Sequence, residues 1–328
     1  MRRQILITSL MLAASLAALS SSPVLAQGAA TYPSKPIKII VPFNAGSGSD
    51  SMSRYYGEVL GKMLGQTFVV ENRPGGSGLL AIQMVKQAPA DGYTILLASV
   101  SPMAVNPVLM KNLPYDPFKD FRPVHGISVG SAAFVVKADS PYKTINDLIA
   151  GVKKLNRPMS VGNYSLGYQL IGAWMGTVGS VPVTHVPYKG GAQMVTDVLG
   201  GNLDVGVNDF GGLMSMMQAG KVRVLAITSA ERDKRMFPDV PTMIESGFDG
   251  FESYVWASLY VRAQTPDAVV ERLADLFMMA LSSEEGMMYQ ARRPGLALLL
   301  GPKEMREFQL REYERFKRVA QAAGIKPQ

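Results

Sequence analysis

The residues best placed to do chemistry lie in a short polar run between an apolar strand and a helix. Residues 37–43 are β-branched and apolar, which is typical of a strand buried in a parallel sheet. Residues 44–49 are small and polar, and Asp50 and Ser51 are helix N-cap types ahead of a pattern that predicts a helix over 52–64. Free backbone N–H groups at such a turn, together with the helix dipole, favour an anion such as a carboxylate or a phosphate.

Residues 126–130, Gly-Ile-Ser-Val-Gly, match the G-x-S-x-G spacing of the nucleophile elbow of α/β hydrolases. On this alternative the protein is a secreted hydrolase with Ser128 as its nucleophile. The elbow requires a strand, a sharp turn and then a helix, whereas the strand-like residues 132–136 follow here. A hinge strand of small residues is therefore the preferred interpretation.

Gly46-Ser47-Gly48, with Glu71 at the end of the next predicted strand, partly matches a dinucleotide-binding fingerprint. Ser51 stands where the third glycine of that fingerprint belongs. The first 26 residues have the pattern of a signal peptide, and the expected export from the cytoplasm also argues against a nicotinamide cofactor. An exported oxidoreductase is therefore a third hypothesis, behind a binding receptor and a hydrolase.

His125 and His185 are the only histidines, and the chain has no cysteine. Neither histidine has a carboxylate at metal-ligand spacing, and His185, at a strand end, is interpreted as structural. The lack of cysteine excludes thiolate chemistry and zinc–thiolate sites. We therefore expect no catalytic residues, no metal and no cofactor.

The first 26 residues have the pattern of a secretory signal peptide. Arg2 and Arg3 precede an apolar run over residues 5–19, and residues 24–26 resemble a signal peptidase site. We expect cleavage near Ala26 and export, the alternative being an uncleaved anchor. The remaining chain has 31 basic residues against 26 acidic ones, and their scatter argues against nucleic acid as a partner.

Strands and amphipathic helices alternate along the chain and predict parallel sheets with right-handed crossovers. One such unit covers residues 37–98 and a second covers 124–228. Three helices close the chain after a strand-like segment at 251–261, and the nearest sheet left for them to cover is the first. We therefore predict two lobes, the first built from both ends of the chain, with hinge strands near 127–130 and 252–255.

The connecting segments also carry predictions. Residues 106–121, which contain three prolines, are predicted to form a surface loop.

In open α/β sheets, ligands sit at the carboxyl ends of the strands, where the small polar loops of both lobes fall. Two such ends that face each other would close on a ligand like a clamshell.

Several motifs, in order over almost the whole chain after the signal peptide, resemble those of one family of exported receptors. They are residues 41–50 (VPFNAGSGSD), 69–75 (VVENRPG), 90–94 (ADGYT), 113–121 (LPYDPFKDF), 185–190 (HVPYKG), 219–221 (AGK) and 237–242 (FPDVPT). The family is the Bordetella uptake type of solute-binding receptor, which serves tripartite tricarboxylate transporters. Asn44 and Ser47 stand where that family usually has proline and glycine.

The resemblance implies an α/β, two-lobed, type II periplasmic-binding-protein-like fold, with two Rossmann-like lobes joined by a two-strand hinge. We assign residues 27–128 and 254–328 to the first lobe and 129–253 to the second. The implied function is capture of a small carboxylate in the periplasm and delivery to the membrane permease subunits of the transporter. We expect a monomer.

The resemblance and the strand-end loops together indicate a ligand site. Its expected residues are Phe43, Asn44, Ala45, Gly46, Ser47, Gly48, Ser49, Asp50, Ser101, Asn163, Tyr164, Ser165, Tyr168, Asn208 and Asp209.

The second-lobe residues of this set bear on the ligand. Tyr164 and Tyr168 are larger than the family's usual residues there, and Asn208 stands where the family has an aspartate. A tyrosine can pack on a ring and hydrogen-bond an acid, while the first loop offers backbone donors but no full positive charge. These points favour an aromatic mono- or dicarboxylate over an amino acid. Asp209, if it faces the cleft, would instead suit an ammonium group, and the tyrosines could merely pack against the hinge.

Overall fold

The computed structural model describes residues 32–327 and shows a mixed α/β fold built on two β-sheets. The chain divides into two units, Met1–Ser34 and Lys35–Gln328. Of the first unit the structure describes Tyr32, Pro33 and Ser34, which belong to no helix or strand. The signal peptide predicted for residues 1–26 lies outside the described residues.

The second unit alternates strands and helices. The strands are β1 (Ile37–Val41), β2 (Phe68–Asn72), β3 (Thr94–Ser99), β4 (Phe121–Gly130), β5 (Ala132–Lys137), β6 (Met159–Asn163), β7 (Val183–Pro187), β8 (Val205–Asp209), β9 (Val222–Ile227), β10 (Val255–Arg262) and β11 (Leu296–Ala297). The helices are α1 (Gly48–Leu64), α2 (Leu79–Gln87), α3 (Asn106–Leu109), α4 (Ile145–Lys154), α5 (Leu166–Val178), α6 (Gly191–Leu199), α7 (Met214–Gln218), α8 (Asp267–Ser282), α9 (Glu284–Ala291) and α10 (Pro302–Ala322). In the part of the chain that the structure describes, no helix combines the length and the apolar character that a membrane span needs.

The first sheet has the strand order β11-β4-β10-β3-β1-β2. β1 lies between β2 and β3, runs parallel to both and is apolar enough to be buried on both faces. β10 returns antiparallel between β3 and β4. This sheet therefore draws on both ends of the chain, as the sequence predicts.

The second sheet has the order β7-β6-β8-β5-β9. β6 runs parallel to β7 and β8, and β5 is antiparallel to β8 and β9. The carboxyl ends of β6 and β8 thus lie side by side, which places the loops after Asn163 and Asp209 together. The two-lobed α/β fold expected from the sequence is confirmed, while the exact lobe boundaries stay a prediction.

The chain passes between the sheets at two places. The first is Ser131, between β4 and β5, and the second is the segment between β9 and β10. The Thr228 hydroxyl ties them together, since it accepts from the Ala132 N–H at 3.0 Å and donates to the Ser253 carbonyl at 2.8 Å. The hinge strand predicted over residues 252–255 is wrong in its extent, because β10 begins only at Val255.

The surface loop predicted for residues 106–121 is also wrong at its start. A π-helical turn, Ser101–Val105, runs directly into α3, and Asn106 is fully buried. The Asn106 amide donates to the Ser77 carbonyl and to the Tyr115 hydroxyl, at 3.1 and 3.2 Å. These tertiary hydrogen bonds hold the segment inside the molecule despite its prolines.

Candidate functional site

The loop between β1 and α1 ends earlier than the sequence predicts. Ser47, not Asp50 or Ser51, is the N-cap of α1, and its hydroxyl accepts from the Asp50 N–H at 3.2 Å. The helix therefore begins at Gly48, whose N–H and that of Ser49 have no partner further back in the helix. These donors and the positive end of the helix dipole face the adjoining loop.

Asp50 organises this loop from inside. One carboxylate oxygen accepts from the Gly46 N–H at 2.9 Å, and the other accepts from the Asn72 amide at 2.9 Å and pairs with Arg54 at 3.0 Å. The same Asn72 amide donates to the Phe43 carbonyl at 3.0 Å. Burial pushes the pKa of Asp50 upwards, but the hydrogen bonds from Gly46, Arg54 and Asn72 outweigh it, and the pKa is lowered overall. Its carboxylate thus shapes the loop.

We expect Asp50→Asn to lower the free energy of unfolding at pH 7 by about 2 kcal/mol, as for other hydrogen bonds to a charged group. Because the folded-state pKa of Asp50 is lowered, this stabilisation is complete above the unfolded-state pKa of about 3.9 and fades as the pH falls through the folded-state value. Urea denaturation between pH 7 and pH 3 measures the difference. Asp139→Asn, at an 80% exposed side chain, is the matched control. A difference between wild type and Asp50→Asn that stays constant with pH would contradict this role.

The second-lobe residues are built around the carboxylate of Asp209. One of its oxygens accepts from the hydroxyls of Tyr164 and of Tyr168, the latter at 3.2 Å, and the other accepts from the Gly212 N–H at 3.0 Å. Burial, with the Asp209 charge beside them, raises the pKa of both tyrosines well above its ordinary value. Both hydroxyls are directed at Asp209 in this arrangement, and their role in binding an acid of the ligand stays a prediction.

Contacts between elements of the two sheets close the space around these loops. The Ser101 hydroxyl donates to that of Ser165 at 3.0 Å, and the Asn44 amide donates to the Lys189 carbonyl at 3.3 Å. The rings of Phe43 and Tyr164 meet edge to face, with centroids 6.0 Å apart. Loops of the two sheets therefore contact each other at the cleft, and closure of the cleft on a ligand stays a prediction.

A cavity of about 580 Å³ lies between the loops. Among the predicted site residues, those that line it are Phe43, Ser47, Gly48, Ser49, Tyr164, Tyr168 and Asp209. The others stand behind the wall or at its rim: Asn44, Ala45 and Gly46 are exposed, and Asp50, Ser101, Asn163, Ser165 and Asn208 are buried. The cavity is large enough for a small organic ligand.

Comparison with known proteins identifies the family of this protein. The family profile described as "Tripartite tricarboxylate transporter family receptor" matches residues 52–289. The chain belongs to this family of receptors. A relative in Bordetella bronchiseptica, described as a UPF0065 protein, is 32% identical over 320 residues, covering 97% of this chain and 94% of its own. The resemblance to Bordetella uptake receptors is confirmed.

Solved structures agree with the fold of this receptor. Periplasmic binding protein BugD, at 29% identity, matches 90% of the receptor and 100% of its own chain with a TM-score of 0.85. Rpa4515 of R. palustris, solved with adipate, is 30% identical, with the same coverage and a TM-score of 0.86. MatC of Rhodopseudomonas palustris, solved with bound malate, is 25% identical over 88% of the receptor and 99% of its own chain, with a TM-score of 0.82. The receptor is thus a solute-binding protein of the periplasmic type.

The cavity wall also contains residues that sequence reasoning did not place there. They are Met52, Ser99, residues 128–131, residues 210–211, residues 229–235, Val255, Ala257, Gln290 and residues 293–296. Tyr254 and Trp256, for which the sequence left the cleft and the core equally open, line the cavity too. Most come from the crossing segments and from the turn after α9, far along the chain from the first loop. Pro294 and Gly295, which lie between α9 and α10, were the one signal in the sequence that this turn differs from the helices packed on the first sheet.

The residues of the two enzyme alternatives have ordinary structural settings. Ser128 lies inside β4, paired with Ala257 of β10, so the strand–turn–helix geometry of a nucleophile elbow does not form around it. Glu71 forms an ion pair with Arg73. His125 is buried, and burial lowers its pKa. Among residues 32–327 there is no group of three metal-ligating side chains.

Proposed function

We propose that this receptor captures a small carboxylate in the cleft between its two sheets and delivers it to the membrane subunits of a tripartite tricarboxylate transporter. The single observation that supports this most is the position of Ser47, Gly48 and Ser49. They form the start of α1, a helix of 17 residues, and all three line the cavity. Helix N-termini bind anions through free N–H groups and the dipole.

The receptor reaches its site of action by export. Residues 1–26 act as a signal peptide that is cleaved near Ala26, and the mature receptor works in the periplasm as a monomer without catalysis. The two-sheet fold with loops from both sides of one cleft suits transient capture, since opening releases the ligand.

Two classes of carboxylate fit the cavity. Relatives solved with adipate and with malate support an aliphatic dicarboxylate. The aromatic wall supports an aromatic acid, because Phe43, Tyr164, Tyr168, Phe210 and Trp256 all line the cavity. The Asn208 amide does not line it, so its lack of negative charge bears on the ligand less than the sequence suggests.

A titration panel tests the function. The purified mature protein is titrated by calorimetry and thermal denaturation with adipate, malate, citrate, phthalate and glutamate, beside an assay with an activated ester. We expect at least one acid to bind, and at 100 times its Kd to stabilise the fold by about 2.7 kcal/mol. If no acid of the panel changes the stability, or if the protein turns over the ester, the receptor proposal fails.

A further inference from the structure

Arg293 stands in the turn that follows α9 and lines the cavity. Its Nη1 donates to the Tyr289 hydroxyl at 2.8 Å, and its guanidinium carbon lies 5.1 Å from the centre of the Tyr289 ring. Both contacts use one side of the guanidinium group. The remaining amino group, Nη2, is left to face the cavity region.

The aromatic residues beneath Arg293 fix its position. Tyr289 stacks on Tyr55, with centroids 3.7 Å apart and planes 8° apart, and meets Tyr56 edge to face at 5.7 Å. The Tyr55 hydroxyl in turn donates to the Glu285 carbonyl at 2.7 Å. Holding the long side chain this way lowers the conformational entropy that it loses when it binds a partner.

The Nη2 atom points to the seam between the first loop and the loop after β8. It lies 3.5 Å from the point that a Cβ at Gly48 would occupy and 3.1 Å from the same point at Gly211. The absence of side chains at both glycines leaves this amino group beside the N-terminus of α1. Two sources of positive potential, the helix end and the guanidinium, therefore adjoin each other.

The other cations of the wall have partners or are exposed. Arg232 pairs with Glu245 at 2.8 Å and Arg235 with Asp233 at 3.8 Å, while Lys234 is exposed. Among the described residues, Arg293 forms no ion pair. Asp209 also lines the cavity: its Oδ2 accepts from Tyr164 and Tyr168, and its Oδ1 accepts from the Gly212 N–H. Oδ1 lies at the same seam, 3.1 Å from the Cβ point at Gly48 and 2.9 Å from that at Gly211.

We infer that Arg293 is the charge partner of the ligand carboxylate that binds at the N-terminus of α1, and that it selects acids without an α-ammonium group. This inference rests on the proposed function. An arginine donates strong, charge-assisted hydrogen bonds to a carboxylate. An ammonium one carbon away from that carboxylate lies beside a guanidinium that forms no ion pair among the described residues, and the like charges repel each other.

The test compares acids that differ only in the α-ammonium group. The probes are glutarate with glutamate, succinate with aspartate, and 3-phenylpropionate with phenylalanine, titrated into wild type, Arg293→Met, Arg293→Lys and Arg292→Met. Arg292, which is exposed and does not line the cavity, provides the matched control. In wild type we expect the acid of the tightest-binding pair to bind at least about 10-fold more tightly than its amino acid.

Arg293→Met is expected to lower the affinity for that acid by about 10- to 100-fold and to narrow the difference in affinity between the acid and its amino acid. It is also expected to reduce the dependence of the affinity on salt concentration. Arg293→Lys keeps part of the affinity, and Arg292→Met keeps all of it. Equal affinities of Arg293→Met and Arg292→Met for the acid, or wild-type preference for the amino acid, would overturn the inference and leave the receptor function intact. Failure of every probe to bind wild type would overturn the inference, and would overturn the receptor function as well only if adipate, malate, citrate and phthalate also fail to bind.

Discussion

Gly48→Val is expected to lower the affinity of the receptor for its carboxylate at least about 100-fold and to leave the fold intact, a loss of about 2.7 kcal/mol in binding. A Cβ at Gly48 would lie 3.1 Å from an oxygen of Asp209 and 3.8 Å from the Cα of Gly211. Both neighbours belong to the second sheet and the loop that follows it. A valine at Gly48 therefore opposes closure of the cleft and also fills the space beside the N–H groups of α1.

The fold should accept this substitution because Gly48 does not have a left-handed backbone and stands at the first position of its helix. Ser51→Val is the matched control, since Ser51 lies in the same helical turn but does not line the cavity. Calorimetry measures the affinity, and small-angle scattering measures the radius of gyration with and without ligand. Wild type and Ser51→Val should become more compact at saturating ligand, and Gly48→Val should not. Affinity of Gly48→Val within about threefold of wild type would refute the placement of the ligand at this loop.

The strand, loop and helix that carry the site were predictable because each leaves a local pattern. The apolar run over β1 and the small residues after it indicate a buried strand followed by a loop. The helix start was misplaced because Ser47, Asp50 and Ser51 are all N-cap types. What selects Ser47 is the carboxylate of Asp50, which turns back to Gly46 and is held by Asn72 of the next strand. Such a tertiary contact leaves no periodic signal.

The far wall of the cavity was not predictable for a related reason. Arg293 lies 245 residues after Gly48, and no pattern along the chain states which part of a C-terminal helix pair reaches the first loop. The directions of the Tyr164 and Tyr168 hydroxyls were not predictable for the same reason. The size of the two side chains is visible in the sequence, but the direction of their hydroxyls depends on Asp209, which arrives from another strand.

The G-x-S-x-G pattern shows how a local motif can have a packing cause. A Cβ at Gly126 would lie 2.4 Å from the Leu298 carbonyl oxygen and 2.8 Å from the Leu298 Cγ, because the segment after β11 crosses directly over β4. The Gly126 N–H also donates to the Leu300 carbonyl at 2.9 Å. Glycine is therefore needed here for the approach of a neighbouring backbone, whatever the nature of Ser128.

Gly126→Ala is accordingly expected to lower the free energy of unfolding by about 3 kcal/mol, the upper range for overpacking, since the obstacle is backbone that cannot rotate away. Gly130→Ala, in the same strand, is the matched control, because its Cβ would meet the Cα of Gly295 at an ordinary 3.5 Å. Ser128→Ala should leave both stability and any background hydrolysis of an activated ester unchanged. Urea denaturation and an ester assay on the three variants check these results. A mild effect of Gly126→Ala would contradict the packing explanation, and a loss of ester hydrolysis in Ser128→Ala would restore the hydrolase alternative.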